Sequence, residues 1–402
     1  MVAVAQLVER WIVVPLVVGS NPIGHPSIES NSMKIEYICF LDKCGYGYAA
    51  KGYINKLIEM GHAVSIIPID AYVLEEYEIS IKQNIKKPIG TPNLRIVHVV
   101  PHIAEGLIKN DGVPTIFFYA WELSVLPEVF KKVLEKVKHC VTFSEWQVEV
   151  YKRCLKKSNI SYIPHIMPLM PSPIIYKKSI TNIFTFLSIF RGDERKDPWS
   201  LLKAFSSEFI NDNNARLVIK VQDTNSYQMG RMIQEIKNVS PQTIESAGPD
   251  CIYLMNRDNK NPTIKIITSM LKKDEMKSLY LNSNIFVSTT RSEGWGFCFN
   301  EALLCGIPCI YPDSPYIVKK FFTKENSIGV PCYDIPVSNW SVQQLAEKGT
   351  VWSQVNVDAL RKVMRSVYTN NPFKTPVSIS QEYLREQSNI ENYLNNILSK
   401  VI

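Results

Sequence analysis

The sequence predicts an α/β protein of two domains, each opening on strand, loop, helix and strand. Three observations carry that expectation. A chain of 402 residues is longer than one hydrophobic core usually serves. Residues 34–69 alternate an apolar strand-like run, a loop with Gly45 and Gly47, a helical period and a second apolar run, which is the start of a Rossmann-type unit. The same alternation restarts at Ile183, after a segment whose Pro168, Pro171 and Pro173 mark a linker. The expected divisions are a first domain over 33–170, a second over 180–375 and a terminal helix within 376–402.

In the first half, residues 34–41 form the opening strand and 42–48 its loop. Residues 49–60 keep helical periodicity and stop at Gly61. Residues 63–69 are the second strand, with Asp70 at its end. Gly45-x-Gly47-x-x-Ala50 followed by Asp70 fits a dinucleotide fingerprint, so a nicotinamide- or flavin-dependent oxidoreductase is one reading; a lone pattern of this kind is weak support. Residues 95–100 and 115–119 read as further strands. Trp121 and Glu122 follow the latter at its carboxyl end, where ligands sit in such sheets. The plain alternative is that Trp121 is core and Glu122 caps a helix. The helical stretch 130–139 carries Lys131, Lys132, Lys136 and Lys138, which suits a solvated face or contact with anionic lipid. A strand at 141–143, a helix opened by Ser144 and Glu145, and a short strand at 161–164 ending at His165 complete this half.

In the second half, residues 184–189 are the first strand and Arg191 to Lys196 lie in its loop. Pro198–Phe209 is a helix with Leu201, Leu202, Ala204 and Phe205 on one face. Residues 215–221 are a strand, 229–238 a helix, and the Asn- and Asp-rich stretch 249–262 an exposed loop or insertion. A strand at 263–268 and a helix at Lys273–Leu281 come next. Residues 329–336 read as a loop, 357–368 as a helix and 381–398 as one final helix.

Residues 284–313, NIFVSTTRSEGWGFCFNEALLCGIPCIYPD, hold the densest chemistry. A β-branched run (284–288) leads to a polar loop with Gly294 and Gly296, then to a short helix (297–305) stopped by Gly306 and Pro308, then to a strand from Ile307. Glu293 therefore sits on a loop at the carboxyl end of a strand, and Glu301 early in the next helix. The amides of Gly294, Trp295, Gly296 and Phe297 lie at that helix N-terminus, which favours an anion because its N–H groups lack intrahelical partners. Two carboxylates beside an anion site suit a ligand with both hydroxyls and phosphate. The plain alternative makes Glu301 a common first-turn Glu and the glycines mere turn formers.

The string S-E-G-W-G-F-x-x-x-E-A-x-x-x-G-x-P-x-I closely resembles the E-x7-E signature of retaining GT-B glycosyltransferases, family 4 (glycosyl transferases group 1). The resemblance runs from about Met33 onward and is weakest in the first domain. It implies two Rossmann-like domains facing across a cleft, with a C-terminal helix crossing back to the first. It implies transfer of a hexose, with retention, from a nucleotide-diphosphate sugar to a hydroxyl of a glycan, lipid-linked or protein acceptor. Glu293 would hold donor-sugar hydroxyls and Glu301 the ribose. Gly45 and Gly47 would let the backbone approach the diphosphate. Arg191 and Lys196 resemble the family's G-R-x4-K-G pair, without either flanking glycine. Trp121, Glu122 and His165 would stand on the acceptor side, although Ile166-Met167-Pro168 replaces an Asp common in the family. Lacking any D-x-D, the chain is expected to need neither metal nor cofactor. An inactive sugar-nucleotide binding module is the third reading.

Composition sets the outer bounds. Hydrophobic residues make up 46% and charged residues 21%, as in ordinary globular chains, and no apolar run reaches the length of a membrane-spanning helix. The net charge of +7 suits phosphate-bearing ligands or a membrane surface rather than specifying either, and no nucleic-acid partner is expected. Nine scattered cysteines without C-x2-C spacing read as free thiols of a cytoplasmic protein, with or without peripheral membrane contact. Residues 1–32 read as a non-native or disordered extension. Residues 5–10 and 19–22 can be encoded by strings resembling the D- and T-arms of a tRNA gene, which places the expected natural start at Met33.

Overall fold

Strands account for the first architectural fact: two separate sheets, each fed by apolar runs at the expected places. The computed structural model describes residues 32–42, 45–70, 77–157, 159–167, 183–209, 211–222, 226–239, 243–246, 251–255, 263–337 and 346–401. The leading segment and the linker at 168–179 lie outside these residues. Met33–Ile402 forms one compact unit.

The first sheet has six parallel strands in the order β2-β1-β3-β4-β5-β6. They are β1 (Lys34–Cys39), β2 (Ala63–Pro68), β3 (Leu94–His98), β4 (Thr115–Phe118), β5 (His139–Thr142) and β6 (Ile160–Tyr162). β3, β4 and β5 are buried along their whole length, as parallel strands covered on both faces must be. Their connections carry α1 (Gly45–Glu59), α2 (Ile79–Lys82), α3 (Glu128–Leu134) and α4 (Glu145–Cys154). α1 begins four residues before the predicted helix, so Gly45 and Gly47 lie in its first turn rather than in a loop. Position 47 must be glycine on steric grounds: a side chain there would collide with the Asp42 carbonyl oxygen and come within 2.9 Å of the Asp42 amide nitrogen.

The second sheet runs β15-β14-β13-β12-β7-β8-β11-β10-β9. Its strands are β7 (Phe184–Arg191), β8 (Ala215–Gln222), β9 (Thr243–Ser246), β10 (Cys251–Met255), β11 (Ile264–Ile267), β12 (Ile285–Val287), β13 (Cys309–Asp313), β14 (Ser327–Pro336) and β15 (Val351–Val355). The central pairings are parallel, and antiparallel pairs flank them at both edges: β9 with β10 and β10 with β11 on one side, β14 with β15 on the other. Two expectations are corrected here. Part of the predicted loop at 249–262 is strand β10, and the predicted loop at 329–336 is strand β14. Helices α5 (Pro198–Phe209), α6 (Ser226–Val239), α7 (Lys273–Leu281), α8 (Phe297–Leu304) and α9 (Val357–Asn370) complete this half.

The single terminal helix resolves into α10 (Gln381–Ser388) and α11 (Ile390–Ser399), broken at Asn389. This pair crosses back to the first sheet. Tyr162 donates to Glu386 at 2.9 Å, Gln387 donates to the His165 carbonyl at 2.9 Å, and Lys56 pairs with Glu391 at 3.2 Å.

α8 stops where the sequence says it should. Gly306 takes φ +75°, and a Cβ there would lie 2.5 Å from the Pro376 Cβ. Gly306→Ala combines a left-handed backbone with a clash, so it is expected to destabilise the protein by about 1–3 kcal/mol, read as a lower denaturant midpoint at unchanged m.

Candidate functional site

The site begins with two loops that hydrogen bonds weld together. β7 ends at Arg191, and a 3-10 turn comes next at Glu194–Lys196. Asp193 caps that turn by accepting from the Lys196 amide at 3.1 Å, and Asp197 leaves it in the left-handed region at φ 47°. The loop after β12 lies against it. The Arg291 amide donates to the Arg195 carbonyl at 2.7 Å, and the Thr289 hydroxyl donates to the Asp197 carbonyl at 2.7 Å. Behind them Gln354 of β15 accepts from the Arg291 guanidinium at 2.9 and 3.1 Å and donates to Asp197 at 2.5 Å. Thr289, Arg291, Asp197 and Gln354 are buried and hydrogen-bonded to one another, so the turn has little freedom to re-aim its side chains.

Glu293 projects from this framework into a buried charge cluster. Lys196 Nζ lies 2.5 Å from Glu293 Oε1, and Arg195 Nη1 lies 3.3 Å from Oε2. Arg195 also donates to the Ser292 carbonyl at 2.7 Å and sets its Nη2 3.3 Å from Glu122 of the first half. Burial raises the Glu293 carboxyl, but Lys196 and then Arg195 outweigh it and hold it below the usual carboxylate range. Burial holds the Glu122 carboxyl above that range, although Arg195 opposes it. Two carboxylates around one guanidinium thus differ in environment, with Glu293 held as the anion.

Of the predicted cationic pair, Lys196 is at Glu293. Arg191 ends β7 with an exposed side chain, and the second cation on Glu293 is Arg195, which motif spacing does not single out. Among the described residues, no group of three or more His, Cys, Asp or Glu side chains is placed to hold a metal ion.

The two glycines of the signature have distinct tasks. A Cβ on Gly294 would meet the Ala120 Cβ at 2.8 Å, so its lack of a side chain lets the loop touch the first half; its carbonyl accepts from buried Gln147 at 2.7 Å. Gly296 takes φ +96° as the N-cap of α8. The Phe299 amide turns back to the Gly296 carbonyl at 3.0 Å, while the amides of Phe297 and Cys298 head the helix. Trp295 is buried, edge-on to His165 at 5.5 Å. Phe297 stacks on His165 at 5.0 Å, meets Tyr48 edge-on at 5.0 Å and lies against Gly45. Glu301 is held by Tyr280, whose hydroxyl donates to Oε2 at 2.6 Å; burial keeps this carboxyl above its ordinary range, with the Tyr280 bond opposing.

The first-half candidates divide. Trp121 is core: its indole donates to the Val125 carbonyl at 2.8 Å and packs edge-on to Phe130. Glu122 belongs to the charge cluster. His165 is buried between Phe143 at 3.8 Å and Phe297, with its Nδ1 3.2 Å from the Tyr53 hydroxyl, and burial depresses its pKa well below the usual histidine value. Asp70, the acid of the dinucleotide fingerprint, faces its own loop: it accepts from the amides of Leu41 at 2.9 Å and Asp42 at 2.8 Å. Gly47 likewise serves the contact with Asp42. Both elements of that fingerprint are thus engaged in shaping the loop.

No curated protein sequence matches the chain. Solved structures share its fold at low identity. A glycosyltransferase from Rickettsia africae ESF-5 superposes with TM-score 0.58 at 12% identity, covering 92% of this chain and 94% of its own. The lipopolysaccharide outer core galactosyltransferase WaaB gives 0.57 at 12%, covering 92% and 100%. Anabaena Alr3699/HepE in complex with UDP and glucose gives 0.58 at 11%, covering 91% and 99%. TarM matches at 0.51 and 13%, and this chain spans about half of its length (54%). Residues 254–382, which include the loop of Glu293 and helix α8, match the family model described as Glycosyl transferases group 1. The fold is GT-B, and the likeness to glycosyl transferases group 1 rests on residues 254–382.

Proposed function

We propose that the protein transfers a hexose from a nucleoside-diphosphate sugar to an acceptor hydroxyl, with retention at the anomeric carbon, as a family 4 enzyme. The observation that carries this reading is the Glu293 cluster at the mouth of α8: a carboxylate held ionised by Lys196 and Arg195, beside helix-terminal amides. Glu293 suits the hydroxyls of the donor sugar and Glu301 those of the ribose. Lys196, Arg195 and the amides of Phe297 and Cys298 suit the diphosphate, whose leaving oxygen gains charge as the glycosidic bond breaks. The electron pair of that bond goes to the diphosphate, the acceptor oxygen bonds to the anomeric carbon on the same face, and its proton passes to the departing phosphate. Glu122 and His165 stand on the acceptor side. The acceptor is a glycan, a lipid-linked sugar or a protein, and the site of action is the cytoplasm or the membrane surface facing it.

Thermal-shift screening against UDP, ADP, GDP, their glucose conjugates, NAD and FAD tests the reading. Stabilisation by a nucleoside diphosphate and its sugar is expected; stabilisation by NAD or FAD alone overturns it. Turnover of the stabilising donor then separates an enzyme from a binding module. With cations of the protein in the charge-balancing role and no D-x-D in the chain, turnover is expected to persist in EDTA. Complete loss restored by manganese or magnesium would contradict metal independence.

A further inference from the structure

Resting on the donor-site reading above, we infer that Tyr280 is the positioning residue of that site: its phenol fixes the rotamer of Glu301 so that one carboxylate oxygen is presented to the ribose diol. Tyr280 lies on α7, not on the loop or helix that carries the signature, and its ring is buried. Its hydroxyl donates to Glu301 Oε2 at 2.6 Å and also lies 3.5 Å from the Cys298 carbonyl in the first turn of α8. One carboxylate oxygen is therefore engaged from behind. Tyr48 of α1, whose phenol is raised by burial and then by the Glu301 charge, meets the ring of Phe297 at the head of α8 at 5.0 Å. A carboxylate that accepts two ribose hydroxyls must keep a fixed plane, and a side chain with several rotamers does so only when something holds it.

The bond also has an electrostatic side. Burial raises the Glu301 carboxyl and the Tyr280 bond lowers it. The titratable groups around Glu301 include Tyr280, Tyr48, Cys298 and Cys305, with Lys277 acting on Cys305 and Lys196 and Glu293 acting on Cys298. The Tyr280 bond opposes the rise that burial imposes on Glu301, so removing its hydroxyl moves the loss of the anion to higher pH.

The test compares UDP with 2′,3′-dideoxy-UDP by calorimetry, with ADP and GDP and their dideoxy forms run in parallel, on wild type, Tyr280→Phe and Glu301→Gln. Wild type is expected to prefer the ribose form about tenfold, the worth of a charge-assisted pair. Glu301→Gln should abolish the preference. Tyr280→Phe should cut it to about threefold or less, leave dideoxy affinity unchanged, and shift the acid limb of UDP binding to higher pH. If Glu301→Gln loses the preference while Tyr280→Phe keeps it, or if Tyr280→Phe weakens both ligands equally, the inference falls and the donor-site reading stands. If wild type binds no nucleoside diphosphate, or binds ribose and dideoxy forms alike, the donor-site reading falls and takes the inference with it. Should Tyr280→Phe fail to fold, 3-fluorotyrosine at position 280, a stronger donor of similar shape, must hold or raise the preference; a lowered preference overturns the proposal.

Discussion

Lys196→Ala is expected to lower kcat about 100-fold or more while changing donor affinity much less. The ammonium lies 2.5 Å from Glu293, so it is oriented by the group that is proposed to hold the sugar. In the proposed reaction the diphosphate gains negative charge only as the glycosidic bond breaks, so a fixed cation stabilises the transition state more than the bound donor. A 100-fold loss corresponds to about 2.7 kcal/mol, the scale of one preorganised donor. Arg191→Ala is the comparison, because its side chain ends β7 exposed rather than on Glu293; kcat should stay within about threefold. Circular dichroism and melting must match wild type for either measurement to count. If Lys196→Ala raises only KM for the donor, the lysine supplies uniform binding and the catalytic assignment is wrong. If Arg191→Ala costs as much as Lys196→Ala, Arg191 rather than Arg195 is the partner of the lysine.

That comparison also shows what the sequence could and could not reveal. The parallel strands were legible because burial on both faces writes them as apolar runs, and α5 and α7 were legible to the residue because their periodicity ends in Phe209 and Leu281. Strand β14 was not: its Cys332 to Pro336 half mixes partly and fully exposed positions without a two-residue period, and only pairing with β15 makes it a strand. Glu293 and Glu301 could be placed because strand, loop and helix boundaries around them carry their own signals. Arg195 could not. Arg191 and Arg195 flank the same turn, and which one faces inward depends on Asp193 capping that turn and Asp197 taking a left-handed conformation, neither of which periodicity reports. Tyr280 was hidden for a different reason: it approaches Glu301 from a separate helix, 21 residues earlier, through packing that no local motif encodes.

Arg195→Met should destabilise the protein by about 3–5 kcal/mol, the range for removing one partner of a buried ion pair. Arg195 is buried, and the acceptors that depend on it include Glu293, Glu122 and the Ser292 carbonyl. Methionine keeps most of the volume, so the loss reports charge rather than a cavity. Lys196 continues to hold Glu293, which leaves Glu122 as the stranded carboxylate in a half-buried site. The pH dependence has a definite sign. Burial already raises the Glu122 carboxyl, and Arg195 opposes that rise, so the variant raises it further. A carboxyl whose folded pKa lies above its unfolded value takes up protons on folding, and stability falls as pH rises from the unfolded value through the folded one. The deficit relative to wild type should therefore be smaller at about pH 5 than at about pH 8. Adding Glu122→Gln to the variant removes the stranded charge, so it should recover part of the stability at pH 8 and flatten the difference between the two pH values. Urea midpoints of wild type, Arg195→Met and the double variant at both pH values make the six measurements. An Arg195→Met protein as stable as wild type at pH 8, or a deficit that grows on acidification, would show that the guanidinium does not hold these two carboxylates together.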